Sequence, residues 1–277
     1  MNFLGLDDFI LTALREDIGT GDITTECCVP AEEQSRAVFR CKQAGVVCGL
    51  DVAKRVFFLL DPNVVFTAAA AEGAQVQVGD VVASIEGPSR SILSGERLAL
   101  NLMQHMSGVA TKTFEMVQKV RGTNAVIVDT RKTTPGMRVL EKYAVRMGGG
   151  TNHRFNLADG VLIKDNHIVA AGGITNAVNN ARRVVPHTLK IEVETTNFDE
   201  VQEALDAGAD IIMLDNMSCE DMKKAVMQIG GRAKVEASGN MGVRDIAEVA
   251  ATGVDLISIG ALTHSVAALD ISLQFQK

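Results

Sequence analysis

Between Asp129 and His167 the chain gathers Arg131, Lys132, Arg138, Lys142, Arg146, Arg154 and Lys164 against Asp129, Glu141, Asp159 and Asp165. Seven cations less four anions give +3; the whole chain carries −7, so the remainder sums to −10. A basic stretch in an acidic protein focuses a small anion and leaves no broad basic face for nucleic acid. Arg131 and Arg154 can each clasp a carboxylate or phosphate with two parallel N–H donors, and Lys132 and Lys164 supply compact positive charge. The run Gly148-Gly149-Gly150 before Thr151-Asn152-His153-Arg154 suggests a tight loop that carries His153 and Arg154 into the same place.

Other candidate groups recur further along the chain, each at the end of an apolar run. They are Thr130 after Ala125–Asp129, Glu194 after Leu189–Val193, Asp215 after Asp210–Leu214, Ser238-Gly239-Asn240 after Ala233–Ala237, and Gly260-Ala261 after Asp255–Ile259. From Glu194 onward these ends recur about every 22 residues, the length of one strand, one helix and two short loops. Helical patterns fill the gaps, as in Phe198–Ala207 and Cys219–Ile229. Such alternation fits a parallel sheet or a β/α barrel.

The strands themselves favour the barrel. Lys190, Glu192 and Glu194 share one face of their strand, and Lys234, Glu236 and Ser238 share one face of theirs. A strand buried between helices is apolar on both faces, and a charge buried alone is prohibitive. A barrel with a polar, ligand-filled lumen takes both rows. No G-x-G-x-x-G opens any unit, so a dinucleotide sheet has little support.

In such a barrel the strand ends build the site. Glu194 and Asp215 suit ribose hydroxyls or a hydrated Mg²⁺. Ser238, Gly239, Asn240, Gly260 and Ala261 follow the last two strands, where backbone N–H groups often hold a phosphate; Asn240 tolerates positive φ better than most side chains. His105 and His264 read as structural, and His167 is left open. No tight zinc spacing and no nucleophile elbow are present. The inventory describes a phosphorylated sugar with a second anionic group.

Upstream, the first part of the chain reads as mixed α+β. An amphipathic opening helix leads to the turn Gly19–Asp22, then to short strands at Ala37–Cys41, Val46–Cys48, Val64–Ala69 and Val81–Glu86, with a helix over Asp51–Leu60. Glu72–Asp80 resembles the hairpin of a lipoyl-type sandwich, without the lysine. Leu93–Met116 reads as one long helix or two. No apolar run nears the roughly 20 residues of a membrane span. The five cysteines have no C-x-x-C spacing, and their odd number argues for reduced thiols in the cytoplasm.

The motifs Asp129-Thr130-Arg131-Lys132-Thr133-Thr134-Pro135-Gly136, Glu141–Arg146, Gly148–Arg154, Leu162–His167, Glu192-Val193-Glu194, Met213–Asn216 and Glu236–Gly239 resemble the quinolinate phosphoribosyltransferase family over essentially the whole chain. The resemblance implies an N-terminal α/β sandwich domain (residues 1–110), an incomplete, roughly seven-stranded TIM-like β/α barrel (111–265) and a C-terminal segment (266–277) returning to the first domain. It implies transfer of a phosphoribosyl group from 5-phosphoribosyl-1-pyrophosphate to quinolinate with decarboxylation. Lys132, Lys164, Glu194 and Asp215 would be the catalytic group. Arg131, Lys132, His153, Arg154 and Lys164 would bind the quinolinate carboxylates and pyrophosphate, with Thr130 beside them.

By the same resemblance Glu194 and Asp215 would meet the ribose near a Mg²⁺ held mainly by the donor, with no organic cofactor. Ser238, Gly239, Asn240, Gly260 and Ala261 would hold the 5-phosphate. Arg97 would enter a neighbouring subunit's site, so at least a homodimer is expected. Asn240 stands where the family usually has a second glycine. Three other readings stay open: a paralogue acting on a related pyridine carboxylate or tied to molybdenum transport, a Schiff-base aldolase using Lys164, and a non-catalytic phosphate binder.

Overall fold

The computed structural model describes residues 4–276. The chain divides into two compact units. The first comprises the chain through Phe114, Pro135–Gly149 and Val266 onward; the second comprises Glu115–Thr134 and Gly150–Ser265.

In the first unit, α1 (Leu6–Ile18) buries Ile10 and Leu14, one turn apart. The Gly19–Asp22 turn leads into a second short helix, α2 (Ile23–Cys28), not foreseen in the sequence. Asp22 caps it by accepting from the Thr25 N–H at 3.0 Å. Then follow β1 (Gln34–Cys41), β2 (Gly45–Val46), α3 (Leu50–Leu60), β3 (Val65–Ala68), β4 (Gln75–Val76) and β5 (Val81–Pro88). The helix α4 (Ser89–Lys119) is one continuous element of 31 residues.

The segment Glu72–Asp80 is not a hairpin. Its strand β4 pairs antiparallel with β2, and the Glu72 carboxylate caps α3 by accepting from the N–H groups of Gly49 and Asp51 at 2.9 and 3.1 Å.

The second unit carries β6 (Val126–Val128), and the chain returns to the first unit for α5 (Arg138–Met147). From Gly150 it builds β7 (Val161–Ile163), α6 (Asp165–Ala171), α7 (Ile174–Val184), β8 (Ile191–Thr195), α8 (Phe198–Asp206), β9 (Ile211–Asp215), α9 (Cys219–Ile229), β10 (Lys234–Ser238), α10 (Ile246–Ala250), β11 (Leu256–Ser258) and α11 (Ala261–His264). The last strand, β12 (Ile271–Gln276), belongs to the first unit and pairs with β1 in the antiparallel order β12-β1-β5-β3. Phe39, Phe57 and Phe66 form that unit's aromatic core, with ring centroids 5.4–6.4 Å apart.

In the second unit all six strands are parallel, in the order β6-β11-β10-β9-β8-β7. Each strand from β8 to β11 lies beside its predecessor, and the last, β11, pairs with the first, β6. A doubly wound sheet reverses direction at a switch point; this one winds one way and meets itself. The β6–β7 seam stays open, so the barrel is incomplete. Thr151 forms a parallel bridge to Val128 on that edge of β6.

The two charged rows read from the sequence divide. Glu192 and Glu236 are buried, at 3% and 1% exposure. Lys190 and Lys234 instead precede or begin their strands and are exposed, reaching Asp210 (3.4 Å) and Asp255 (2.6 Å). The same aspartates accept from the backbone N–H of Ile191 and Val235, so the lysines belong to a strand-start motif that the barrel uses twice. Among the described residues no helix is long and apolar enough to cross a membrane.

Candidate active site

At the C-terminal ends of these strands lies a cavity of about 300 Å³. Its walls come from Thr130, Arg131 and Lys132 beyond β6, His153 and Arg154 from the seam, Leu162 on β7 and Lys164 just beyond it, Met213 on β9, Glu236 and Ser238 on β10, and Ser258 on β11. The five residues expected to meet carboxylate and pyrophosphate, Arg131, Lys132, His153, Arg154 and Lys164, therefore converge on one space.

Each is positioned by something definite. Asp129, fully buried, accepts from the His153 N–H (2.8 Å) and from the Asn152 side-chain amide (2.6 Å). This clamp and the Thr151 bridge seat His153 and Arg154; the glycines before them only let the chain turn. The Arg154 guanidinium donates to the Gly160 carbonyl at 3.0 Å. Its pKa is drawn below the ordinary arginine value by burial, and next by the Arg131 charge beside it. Two guanidiniums held against each other are relieved by an anion.

The Lys132 N–H donates to the Thr130 hydroxyl (3.0 Å), and its carbonyl accepts from Thr263 (2.8 Å). Its aliphatic stem lies against Gly260, where an added Cβ would come within 3.1 Å of Lys132 Cδ. Lys164 Nζ meets Glu194 Oε2 at 2.6 Å. His167 is structural: its Nδ1 accepts the Lys164 N–H at 3.0 Å, at the start of α6. His264 meets the Ser265 hydroxyl, and His105, in the first unit, meets Glu141.

Asp215 ends β9 and accepts from the Asn216 side chain (2.7 Å). Asn216 in turn accepts from Asn240 Nδ2 at 3.3 Å, and its N–H donates to the Ser238 carbonyl at 3.0 Å. Asn216 (φ 56°) and Asn240 (φ 54°) are the two non-glycine residues with positive φ among the described residues, and Gly239 between the strand ends has φ 92°. The left-handed turn that a second glycine would serve is thus made by Asn240, one of the few side chains that accept it. The backbone N–H groups of Gly239, Asn240 and Gly260 have no carbonyl partner among the described residues. Ala261 opens the short helix α11.

Asp129, Glu192, Asn216, Glu236, Leu162, Met213 and Ser258 were not singled out as site residues. Only the inward charge of Glu192 and Glu236 signalled that they needed partners. Arg97 is exposed on α4 of the first unit.

A singly wound β/α barrel with clustered cations at its strand ends defines an anion-handling barrel enzyme. Residues 22–107 match the quinolinate phosphoribosyl transferase N-terminal domain, and residues 109–274 match the C-terminal domain of the same family. A probable nicotinate-nucleotide pyrophosphorylase [carboxylating] of Synechocystis sp. is 46% identical over 97% of this chain and 92% of its own. One from Bacillus subtilis is 44% identical over 99% and 94%. The solved nicotinate-nucleotide pyrophosphorylase of Francisella tularensis superposes with a TM-score of 0.94 at 42% identity, covering 98% of this chain and 96% of that one. The chain belongs to the quinolinate phosphoribosyl transferase family.

Proposed function

We propose that the protein transfers the phosphoribosyl group of 5-phosphoribosyl-1-pyrophosphate to quinolinate, giving nicotinate mononucleotide, pyrophosphate and CO₂, a step of NAD biosynthesis. The observation that carries this reading is the meeting of Arg131, Lys132, Arg154 and Lys164 in one cavity, with Glu194 bound to Lys164 and Asp215 beside the lining residue Ser238. One substrate is a dicarboxylate and the other carries a phosphate and a pyrophosphate, and each anion has a matching group.

In this reading Arg131 and Arg154 clasp the quinolinate carboxylates, with His153 at the base of the same wall. Lys132 and Lys164 neutralise the departing pyrophosphate. Glu194 and Asp215 face the ribose hydroxyls, while Thr130 lines the entry. Ser238, Gly239, Asn240, Gly260 and Ala261 take the 5-phosphate. The donor arrives as its Mg²⁺ complex, and the oxygen-rich surroundings of Asp215 and Glu194 suit a hydrated hard cation without having to hold it. No organic cofactor is called for.

The chemistry asks for positioning and charge stabilisation rather than a strong base. The C1–O bond of the donor breaks, pyrophosphate leaves with the electron pair, and the pyridine nitrogen attacks the oxocarbenium-like carbon. The ring nitrogen is then quaternary. The bond to the adjacent carboxylate breaks, its electrons pass into the ring, CO₂ leaves and a solvent proton replaces it. A cation at each developing negative charge lowers the barrier.

The reading also places the enzyme in the cytoplasm and makes it at least a homodimer, with Arg97 of one copy entering the other copy's site. Product analysis of protein, quinolinate, donor and Mg²⁺ tests the function. Nicotinate mononucleotide, pyrophosphate and CO₂ in equal amounts are expected; donor consumption without nicotinate mononucleotide would overturn it.

A further inference from the structure

Beneath the cavity His153, Glu192 and Glu236 meet inside the barrel, with one ligand-type atom of each within 4.8 Å of the others. His153 Nε2 lies 3.1 Å from Glu192 Oε2 and 3.7 Å from Glu236 Oε1. Glu192 Oε1 and Glu236 Oε1 are buried and accept no hydrogen bond. One imidazole with two carboxylates could hold a divalent metal, and the histidine tautomer decides against it. The Arg154 N–H donates to His153 Nδ1 at 2.8 Å, so Nδ1 carries no proton. A neutral ring must then carry its proton on Nε2, which faces Glu192 and has no lone pair for a metal.

Of two ionised carboxylates buried beside a neutral ring, Glu192 would feel the Arg154 guanidinium, and Glu236, 1% exposed, would be left poorly compensated. A single proton between them removes one charge and leaves the other to accept from Nε2–H. We propose that Glu192 and Glu236 share one proton beneath His153 and act as positioning residues. The pair fixes the ring as the Nε2–H tautomer, and Nδ1 in turn holds the Arg154 backbone so that its guanidinium stands in the cavity. Burial, and next the Glu192 charge, push the Glu236 carboxyl up to about 8, in keeping with a retained proton. The role of His153 then shifts from touching substrate to supporting the arginine that does. This rests on the reading of the cavity as the quinolinate site.

The test is ring ¹⁵N spectroscopy of the histidine-labelled full chain, with His153 assigned by its loss in His153→Asn, alongside quinolinate kinetics. A neutral Nε2–H ring is expected at neutral pH and should be indifferent to added Mn²⁺ or Zn²⁺. Glu236→Gln, neutral and the same shape, should keep that tautomer. Glu236→Leu should lose it and raise the quinolinate KM about tenfold, with kcat changing less, and Glu236→Gln should recover most of that loss. A doubly protonated ring, an Nδ1–H ring, a metal-shifted Nε2, or a Glu236→Gln variant as impaired as Glu236→Leu would each overturn it. The spectra need no substrate, so a correct tautomer in a protein that ignores quinolinate would fault the functional reading alone.

Discussion

Lys164 and Glu194 close on each other across neighbouring strand ends, Nζ 2.6 Å from Oε2. The carboxylate engages the lysine head group, an arrangement that suits it to steady a leaving pyrophosphate rather than to attack a carbonyl. Borohydride treatment with a phosphorylated sugar should therefore leave the intact mass unchanged. A covalent adduct at Lys164 would support the aldolase reading instead.

The turn after β10 depends on backbone shape. At Gly239, with φ 92°, an added Cβ would lie 2.7 Å from the Asn216 backbone nitrogen. Gly239→Ala should raise the KM for the phosphoribosyl donor about tenfold or more, since the strain is on the order of 1–3 kcal/mol. At Asn240 the left-handed backbone matters more than the side chain, so Asn240→Val should harm donor KM more than Asn240→Gly. The reverse ranking would mean that the amide itself binds.

Much of this site was legible in the chain, and the misses share a cause. Strand ends at Lys164, Glu194, Asp215 and Ser238 follow from local pattern, because apolar runs and turn chemistry are short-range signals. The partnership of Glu192 and Glu236 is not local. Glu192 stands opposite Ile211 and Glu236 opposite Met213, so only the stagger of the barrel brings them under one histidine from the seam. Period-two alternation also put Lys190 and Lys234 on the same rows as those glutamates. It could not show that the row leaves the lumen at the strand start, where Asp210 and Asp255 take the ammonium groups. Likewise the short helix α2 hangs on the Asp22 cap, with Ser94 donating to the same carboxylate from 72 residues away.

Stability should carry the mark of Glu236. Its carboxyl titrates near 4.5 when free and is pushed up to about 8 by burial and then by Glu192. Between those values the unfolded chain has released a proton that the folded chain keeps, so raising the pH favours unfolding. This contribution is fully present below about 4.5 and is lost as the pH rises through about 8. Denaturant titrations across that window should show Glu236→Gln gaining on the wild type as the pH rises. A constant difference would mean that Glu236 is ionised throughout.

If Arg97 serves a neighbouring copy, two different damaged chains can repair one another. Arg97→Ala and Lys164→Ala homodimers should each be nearly inactive, and mixing them under subunit exchange should restore part of the activity. No recovery in demonstrably mixed dimers would place each site within one chain.

A pocket built for two adjacent carboxylates should tell quinolinate from nicotinate. Only the former should be consumed with release of CO₂, and nicotinate should bind at least about tenfold more weakly, one charged contact being worth 1.4 kcal/mol or more. Equal use of nicotinate would point to a related pyridine carboxylate as the true substrate.

The central claim is that the crowded guanidiniums of Arg131 and Arg154 exist to hold quinolinate. Calorimetric titration of quinolinate into wild type and Arg131→Ala tests it most directly. The account expects affinity to fall well over tenfold, because truncating one partner of a desolvated charged pair costs roughly 2–5 kcal/mol. Unchanged quinolinate affinity in a folded Arg131→Ala protein would contradict it.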